Sequence, residues 1–140
     1  MITCEWRGPF TSTEVSALHE EAFGGQGDSG GVGDRGAGTR DWRAQVERHS
    51  LGWVCARDGT DLAGFVNVAW DGGVHAFILD TLAAAGMRRQ GIGTGLVAVA
   101  VRETRRARCE WLHVDFEEHL RPFYLTGCGF APSSAGLIAL

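Results

Sequence analysis

The residues best suited to chemistry in this sequence run from Arg88 to Gly95: Arg88-Arg89-Gln90-Gly91-Ile92-Gly93-Thr94-Gly95. Glycines at the start of a helix let backbone approach a ligand closely. The N–H groups of a first helical turn have no intrahelical acceptor, so they attract anions. Arg88 and Arg89 add positive charge just ahead of that turn, and together these residues are suited to cradle a phosphate. Other groups could handle protons. Tyr124 is the only tyrosine, and Asp80 interrupts the apolar run that leads toward the glycines. His113, Asp115, Glu117 and Glu118 follow further along the chain, each able to take a proton or to stand as a solvated group.

These residues need elements to position them. Val74 to Ala84 is an apolar run broken by His75 and Asp80 and reads as a buried strand. After Gly91, the residues Ile92, Leu96, Val99 and Ala100 fall on one face of a helix, while Arg102, Glu103, Arg105, Arg106 and Arg108 crowd its second half. Glu110 to Phe116 alternates in polarity as a strand does. A helical crossover between two strands of one sheet makes them parallel. Upstream, Ile2 to Trp6 reads as a first strand. Thr11-x-x-Glu14 is a capping box that opens a helix carrying Val15, Leu18 and Ala22 and stopping at Phe23. Thr39 is placed to cap a second helix, with Trp42 and Val46 on its core face, Asp41 near its positive end and Arg48 and His49 near its negative end. Gly52–Arg57, Leu62–Trp70 and Val74–Ala84 form an antiparallel meander turned at Asp58-Gly59 and Asp71-Gly72-Gly73. Leu120 to Thr126 reads as a short helix and Leu137 to Leu140 as a last strand. The expected fold is one α/β domain over residues 1–140. Its mixed α+β sheet is mostly antiparallel, with one parallel pair, and is flanked by helices.

Bulk properties narrow the function. A chain of 140 residues with 44% hydrophobic and 21% charged content is an ordinary globular domain with a real core. A net charge of −4 gives no basic footprint, so no nucleic-acid partner is expected. No run approaches the roughly 18 apolar residues of a membrane span, so no membrane partner is expected either. No leader-like start is present, and a cytoplasmic location is expected. Cys4, Cys55, Cys109 and Cys128 lie far apart without a C-x-x-C pair, which argues for free thiols and against a zinc site or disulfides. His19, His49, His75 and His119 have no ligand spacing, so no metal is expected. All 13 basic residues are arginine, which we read as genome composition. Gly24 to Gly38 holds 8 glycines in 15 residues, with Asp28 and Asp34 among them, and reads as a solvated loop that can also serve as a flap over a substrate.

Arg88-x-x-Gly91-x-Gly93 after a strand resembles the pyrophosphate loop of the GNAT acyl-CoA N-acyltransferase superfamily. Phe123-Tyr124 followed by Gly129-Phe130 resembles that family's closing helix and its Tyr…Gly-Phe ending. The order of elements also fits, so the resemblance covers nearly the whole chain. It implies acetyl-CoA as cofactor, held in a V-shaped opening where the two parallel strands splay. Residues Arg88, Arg89, Gln90, Gly91, Ile92, Gly93, Thr94 and Gly95 would hold the pyrophosphate. Thr81, Leu82 and Ala83, at a bulged strand end, would pair with the pantetheine arm and polarise the thioester carbonyl. It further implies transfer of an acetyl group to a primary amine, on a small molecule or a peptide, by direct attack within a ternary complex. Tyr124 matches the family's usual acid for the leaving thiolate. Asp80 is the first candidate for the base, with a water chain as the alternative.

Three departures stand out. Ala85 occupies a position where the family usually carries proline, and Arg89 one where it often carries glycine. Gly129 follows Tyr124 by five residues where four is usual, an offset that turns a hydroxyl by about 100° of helix.

Two other functions remain open on sequence alone. Gly91-x-Gly93-x-Gly95 with Asp115 suits a dinucleotide-binding module, against which stand the Arg-rich linker and the preceding meander. The absence of Gly-Lys-Ser/Thr excludes a P-loop. A non-catalytic acyl-CoA sensor keeps the fold without turnover. Residues 1–50 carry 8 acids against 5 arginines, which with Asp115, Glu117 and Glu118 favours a cationic acceptor. A homodimer is compatible with the sequence.

Overall fold

A computed structural model describes residues 1–23, 40–85 and 91–140. The glycine-rich stretch 24–38, Thr39, Arg88, Arg89 and Gln90 lie outside the described residues. Strands β1 (Ile2–Trp6), β2 (Ser50–Asp58), β3 (Asp61–Trp70), β4 (His75–Ala83) and β5 (Trp111–Val114) make one five-stranded sheet in sequence order. The first four are antiparallel and β4 pairs with β5 in parallel, as expected for strands joined by a helical crossover. Asp71 fixes the turn into β4. Its Oδ1 accepts the N–H groups of Gly73 at 2.7 Å and His75 at 3.2 Å, and Gly72 takes φ +80°.

Helix α1 (Ser12–Phe23) opens on the expected capping box. Thr11 Oγ1 accepts the Glu14 N–H at 3.1 Å, and Glu14 Oε1 accepts the Thr11 N–H at 2.9 Å. The same carboxylate binds the guanidinium of Arg57 on β2, which ties the helix start to the sheet. Helix α2 (Trp42–His49) is capped by Asp41, whose Oδ1 accepts the Ala44 N–H at 3.0 Å. That corrects the expectation for Thr39: the cap must adjoin the first helical residue to reach the third amide. On one sheet face Val15, Leu18, Trp42 and Val46 of these helices bury Trp53, Phe65 and Leu82. On the other, α3 (Ile92–Arg106) lays Ile92, Leu96, Val99 and Ala100 over Val54, Val66, Val68 and Ile78. Each large side chain so buried contributes about 1.5–3 kcal/mol.

The chain after β5 differs from expectation. A 3₁₀ turn (Glu118–Leu120) precedes a π-helix (Pro122–Gly127), in place of one ordinary helix over Leu120–Thr126. The wider π turn takes up the extra residue before Gly129, and the Phe130 N–H closes it on the Tyr124 carbonyl at 3.1 Å. Leu137 to Leu140 is no strand. Leu137 and Ile138 are 80% and 86% exposed, and an apolar run with no neighbour for its amides and carbonyls has nothing to pair with.

Candidate active site

The pairing of β4 with β5 runs from His75↔Trp111 to Ile78↔Val114 and stops there. From Leu79 onward the β5 side of β4 has no strand partner among the described residues, and the pairing of the two strands ends. In the same stretch the register with β3 slips. Phe65 faces Leu82 and Asn67 faces Leu79, so Val66 is opposed by both Asp80 and Thr81. Asp80 sits at φ +53°, which makes this a β-bulge with one residue in the left-handed region. The bulge therefore lies at Asp80–Thr81, one residue ahead of the Thr81–Ala83 expected.

The bulge directs its two side chains to different partners. Asp80 Oδ2 lies 3.8 Å from Nη2 of Arg40, and Arg40 itself stacks over the Trp42 ring at 3.6 Å. Thr81 lies beside Tyr124. Its Oγ1 is buried and, among the described residues, makes no formed hydrogen bond, so the two hydroxyls are neighbours without bonding geometry. Tyr124 is 5% exposed, stacked on Phe116 at 5.1 Å and edge-on to Phe123 at 4.8 Å and Phe130 at 5.9 Å. Burial pushes its phenol above the usual range, with the Thr81 hydroxyl acting in the opposite sense. With the extra residue taken up in the π turn, Tyr124 stands beside the bulge of β4.

At the start of α3, Gly91 is the N-cap residue at φ +76°, a conformation that favours glycine. Its carbonyl accepts the Gly95 N–H at 3.0 Å and the Thr94 hydroxyl at 3.0 Å. The amides of Ile92, Gly93 and Thr94 are left as first-turn donors. Gly93 is small for another reason. A Cβ there would meet the Phe123 ring at 2.9 Å, so the glycine admits the aromatic residue next to Tyr124. A Cβ on Gly95 would make an ordinary 3.4 Å contact with Cys4 Sγ. Ile92 and Leu82 are core side chains and can offer a ligand only their backbone. First-turn amides without an intrahelical acceptor, a strand side at a bulge that is unpaired among the described residues, and the small residues Ala83, Ala84 and Ala85 suit an extended ligand ending in phosphates.

Three of the other proton-handling candidates have partners. Arg121 holds Glu118 through two bonds of 2.8 and 3.0 Å and keeps its carboxyl below the usual range. Glu117 lies 3.3 Å from His119 Nδ1. His113 Nε2 is 2.9 Å from His75 Nδ1, with the His113 ring stacked on Phe77 at 4.6 Å. Sequence reading missed Arg40 beside Asp80 and the contact of Phe123 with Gly93. It also missed Glu21, whose Oε1 accepts the Ala85 N–H at 3.0 Å. Glu21 left one signal: α1 ends in acidic residues with no basic residue in its last turn, against the helix dipole.

The sheet, with one parallel pair, lacks the successive parallel βαβ units of a dinucleotide-binding module. Residues 13–130 match the model of the acetyltransferase (GNAT) family. No curated protein matches the chain by sequence. Among solved structures, a GNAT-family acetyltransferase from Streptococcus pneumoniae TIGR4 superposes with a TM-score of 0.75 at 22% identity, over 100% of this chain and 98% of the other. Glucosamine-6-phosphate N-acetyltransferase from Arabidopsis thaliana gives 0.65 at 15%, over 99% and 98%. AAC(6')-Iy, in complex with the bisubstrate analog CoA-S-monomethyl-acetylneamine, gives 0.68 at 14%, over 100% and 97%. The matched segment spans the diverging strands, the glycine turn and the Tyr…Gly-Phe ending, and on that ground the chain belongs to the GNAT family of acetyltransferases.

Proposed function

We propose that the protein transfers the acetyl group of acetyl-CoA to a primary amine by direct attack within a ternary complex, as an acyltransferase of its family. The observation that carries this reading is the position of Tyr124: a buried phenol beside Thr81, at the bulge where β4 loses its β5 partner. Acetyl-CoA supplies an activated acyl group and a thiolate leaving group. The pyrophosphate falls to the amides of Ile92, Gly93 and Thr94 and to Arg88, Arg89, Gln90, Gly91 and Gly95. The pantetheine arm falls to the backbone of Thr81, Leu82 and Ala83 on the open side of β4.

Tyr124 is the acid in this reading. Its raised phenol stays protonated near neutrality, as a donor to a thiolate must. Asp80 is the group assigned to the amine. The bulge sets its carboxylate beside Arg40, whose Nη2 lies 3.8 Å from Oδ2. As a carboxylate it can take the proton the amine must lose. The acidic excess of residues 1–50 supports a cationic amine as acceptor.

The test is to incubate the protein with acetyl-CoA and a panel of cationic, neutral and anionic primary amines, following thiol release and product mass. Acetylation of cationic amines is expected. Binding of coenzyme A without acetylation of any amine would overturn the catalytic reading in favour of an acyl-CoA sensor.

A further inference from the structure

The last ladder bond at the end of β4 is that of Ala84, whose N–H meets the Ala63 carbonyl at 2.8 Å. The next amide, Ala85, has no strand partner among the described residues. Glu21, 64 positions earlier in the chain, supplies the acceptor through Oε1 at 3.0 Å. Nothing local favours a carboxylate at Glu21. It sits in the last turn of α1, where the exposed carbonyls are the negative end of the helix dipole and no basic side chain offsets it. A residue that breaks a local rule and makes one long-range bond is a candidate for a role beyond its own helix.

Ala85 is the residue from which the chain runs on to Gly91. A proline there would have no N–H to satisfy and would fix φ near −65° by its ring. Alanine does neither. It leaves an amide without a ladder partner among the described residues and a backbone torsion free to vary. The Glu21 carboxylate answers both, since a bonded amide is a held amide.

We infer that Glu21 is a positioning residue for cofactor binding, fixing from α1 the point at which the chain leaves β4 for the glycine turn. The inference rests on the acetyl-CoA reading above. Glu21 touches neither cofactor nor reacting atoms; it acts through the Ala85 amide. α1 is thereby joined to the end of β4, so cofactor affinity depends on a side chain on the opposite side of the sheet from α3.

Three variants test this: Glu21→Ala, Glu21→Gln, and Glu21→Ala combined with Ala85→Pro. Coenzyme A affinity is read by calorimetry, and amide exchange at Ala85 is read by NMR in the cofactor-free protein. Glu21→Ala should weaken coenzyme A binding about three- to tenfold, the size of one modest hydrogen bond, and should lose protection at Ala85. Glu21→Gln keeps an acceptor oxygen and should keep affinity and protection. Adding Ala85→Pro to Glu21→Ala should restore most of the lost affinity, because the proline ring fixes the torsion that the Glu21 bond otherwise holds. Wild-type affinity in Glu21→Ala overturns the inference, and so does a double variant as weak as Glu21→Ala. A wild-type protein that binds no coenzyme A would instead overturn the cofactor reading.

Discussion

The ring of Phe123 stands over Gly93 so closely that a Cβ at that position would come within 2.9 Å of it. The contact joins the glycine turn at the start of α3 to the π-helix that carries Tyr124, whose ring lies edge-on to Phe123 at 4.8 Å. The glycine turn and Tyr124, the proposed cofactor cradle and acid, are thus packed as one unit.

That packing changes what a substitution at Gly93 reports. Gly93→Ala should destabilise the protein by about 1–3 kcal/mol through overpacking, and Gly93→Val by more. Weakened coenzyme A binding in either variant then has two causes, a filled cradle and a displaced Phe123. Combining Gly93→Ala with Phe123→Leu separates them. If the ring is the obstacle, denaturant unfolding will show the two changes to be less than additive.

Gly91 is set by its torsion alone, since at φ +76° the nearest atom to an added Cβ is Thr94 Oγ1 at 3.7 Å. Gly91→Ala should cost about 1–2 kcal/mol of stability. The same strain should act on the first-turn amides and weaken coenzyme A binding. Unfolding midpoints and calorimetric titration check both effects.

Glu14 gives a pH prediction. Its hydrogen bond to Arg57 is the largest of the causes that hold its carboxyl below the usual range. A carboxyl depressed on folding adds stability that is present above its unfolded pKa of about 4.3 and is lost as pH falls through the folded value. Glu14→Gln should therefore remove part of the acid sensitivity below about pH 4.3. Glu14→Ala should also lose half of the capping box, about 1 kcal/mol at neutral pH. Thermal melts across pH 2–7 read both.

Tyr124 predicts the opposite limb. A phenol raised on folding contributes stability that is complete below its unfolded pKa of about 10 and is lost as pH rises through the folded value. Alkaline melts should show a decline above about pH 10 in the wild type that Tyr124→Phe shows less of.

Much of this architecture was legible because period and punctuation agree. The apolar spacing of Ile92, Leu96, Val99 and Ala100, the Thr11–Glu14 box and the Asp-Gly turns each specify one local structure and met no competition from packing. What escaped depends on contacts distant in sequence. Asp41 outcompetes Thr39 as a cap by adjoining the helix. The bulge position follows from where Val66 must face, which no residue of β4 encodes. The Asp80–Arg40 and Glu21–Ala85 contacts join segments 40 and 64 positions apart. The motif glycines were visible, yet Gly93 answers to an aromatic ring that arrives 30 positions later. Leu137 to Leu140 had the composition of a strand and, among the described residues, no neighbour to pair with.

The central claim, that this fold is built to pass an acetyl group with Tyr124 supplying the proton, is tested most directly by single-turnover transfer from acetyl-CoA to a saturating amine in wild type and Tyr124→Phe. The phenylalanine keeps the ring and its contacts with Phe116, Phe123 and Phe130, so coenzyme A affinity should be unchanged. The rate of acetyl transfer should fall by about 10²–10⁴. Equal single-turnover rates in the two proteins would contradict the account and assign the proton to solvent.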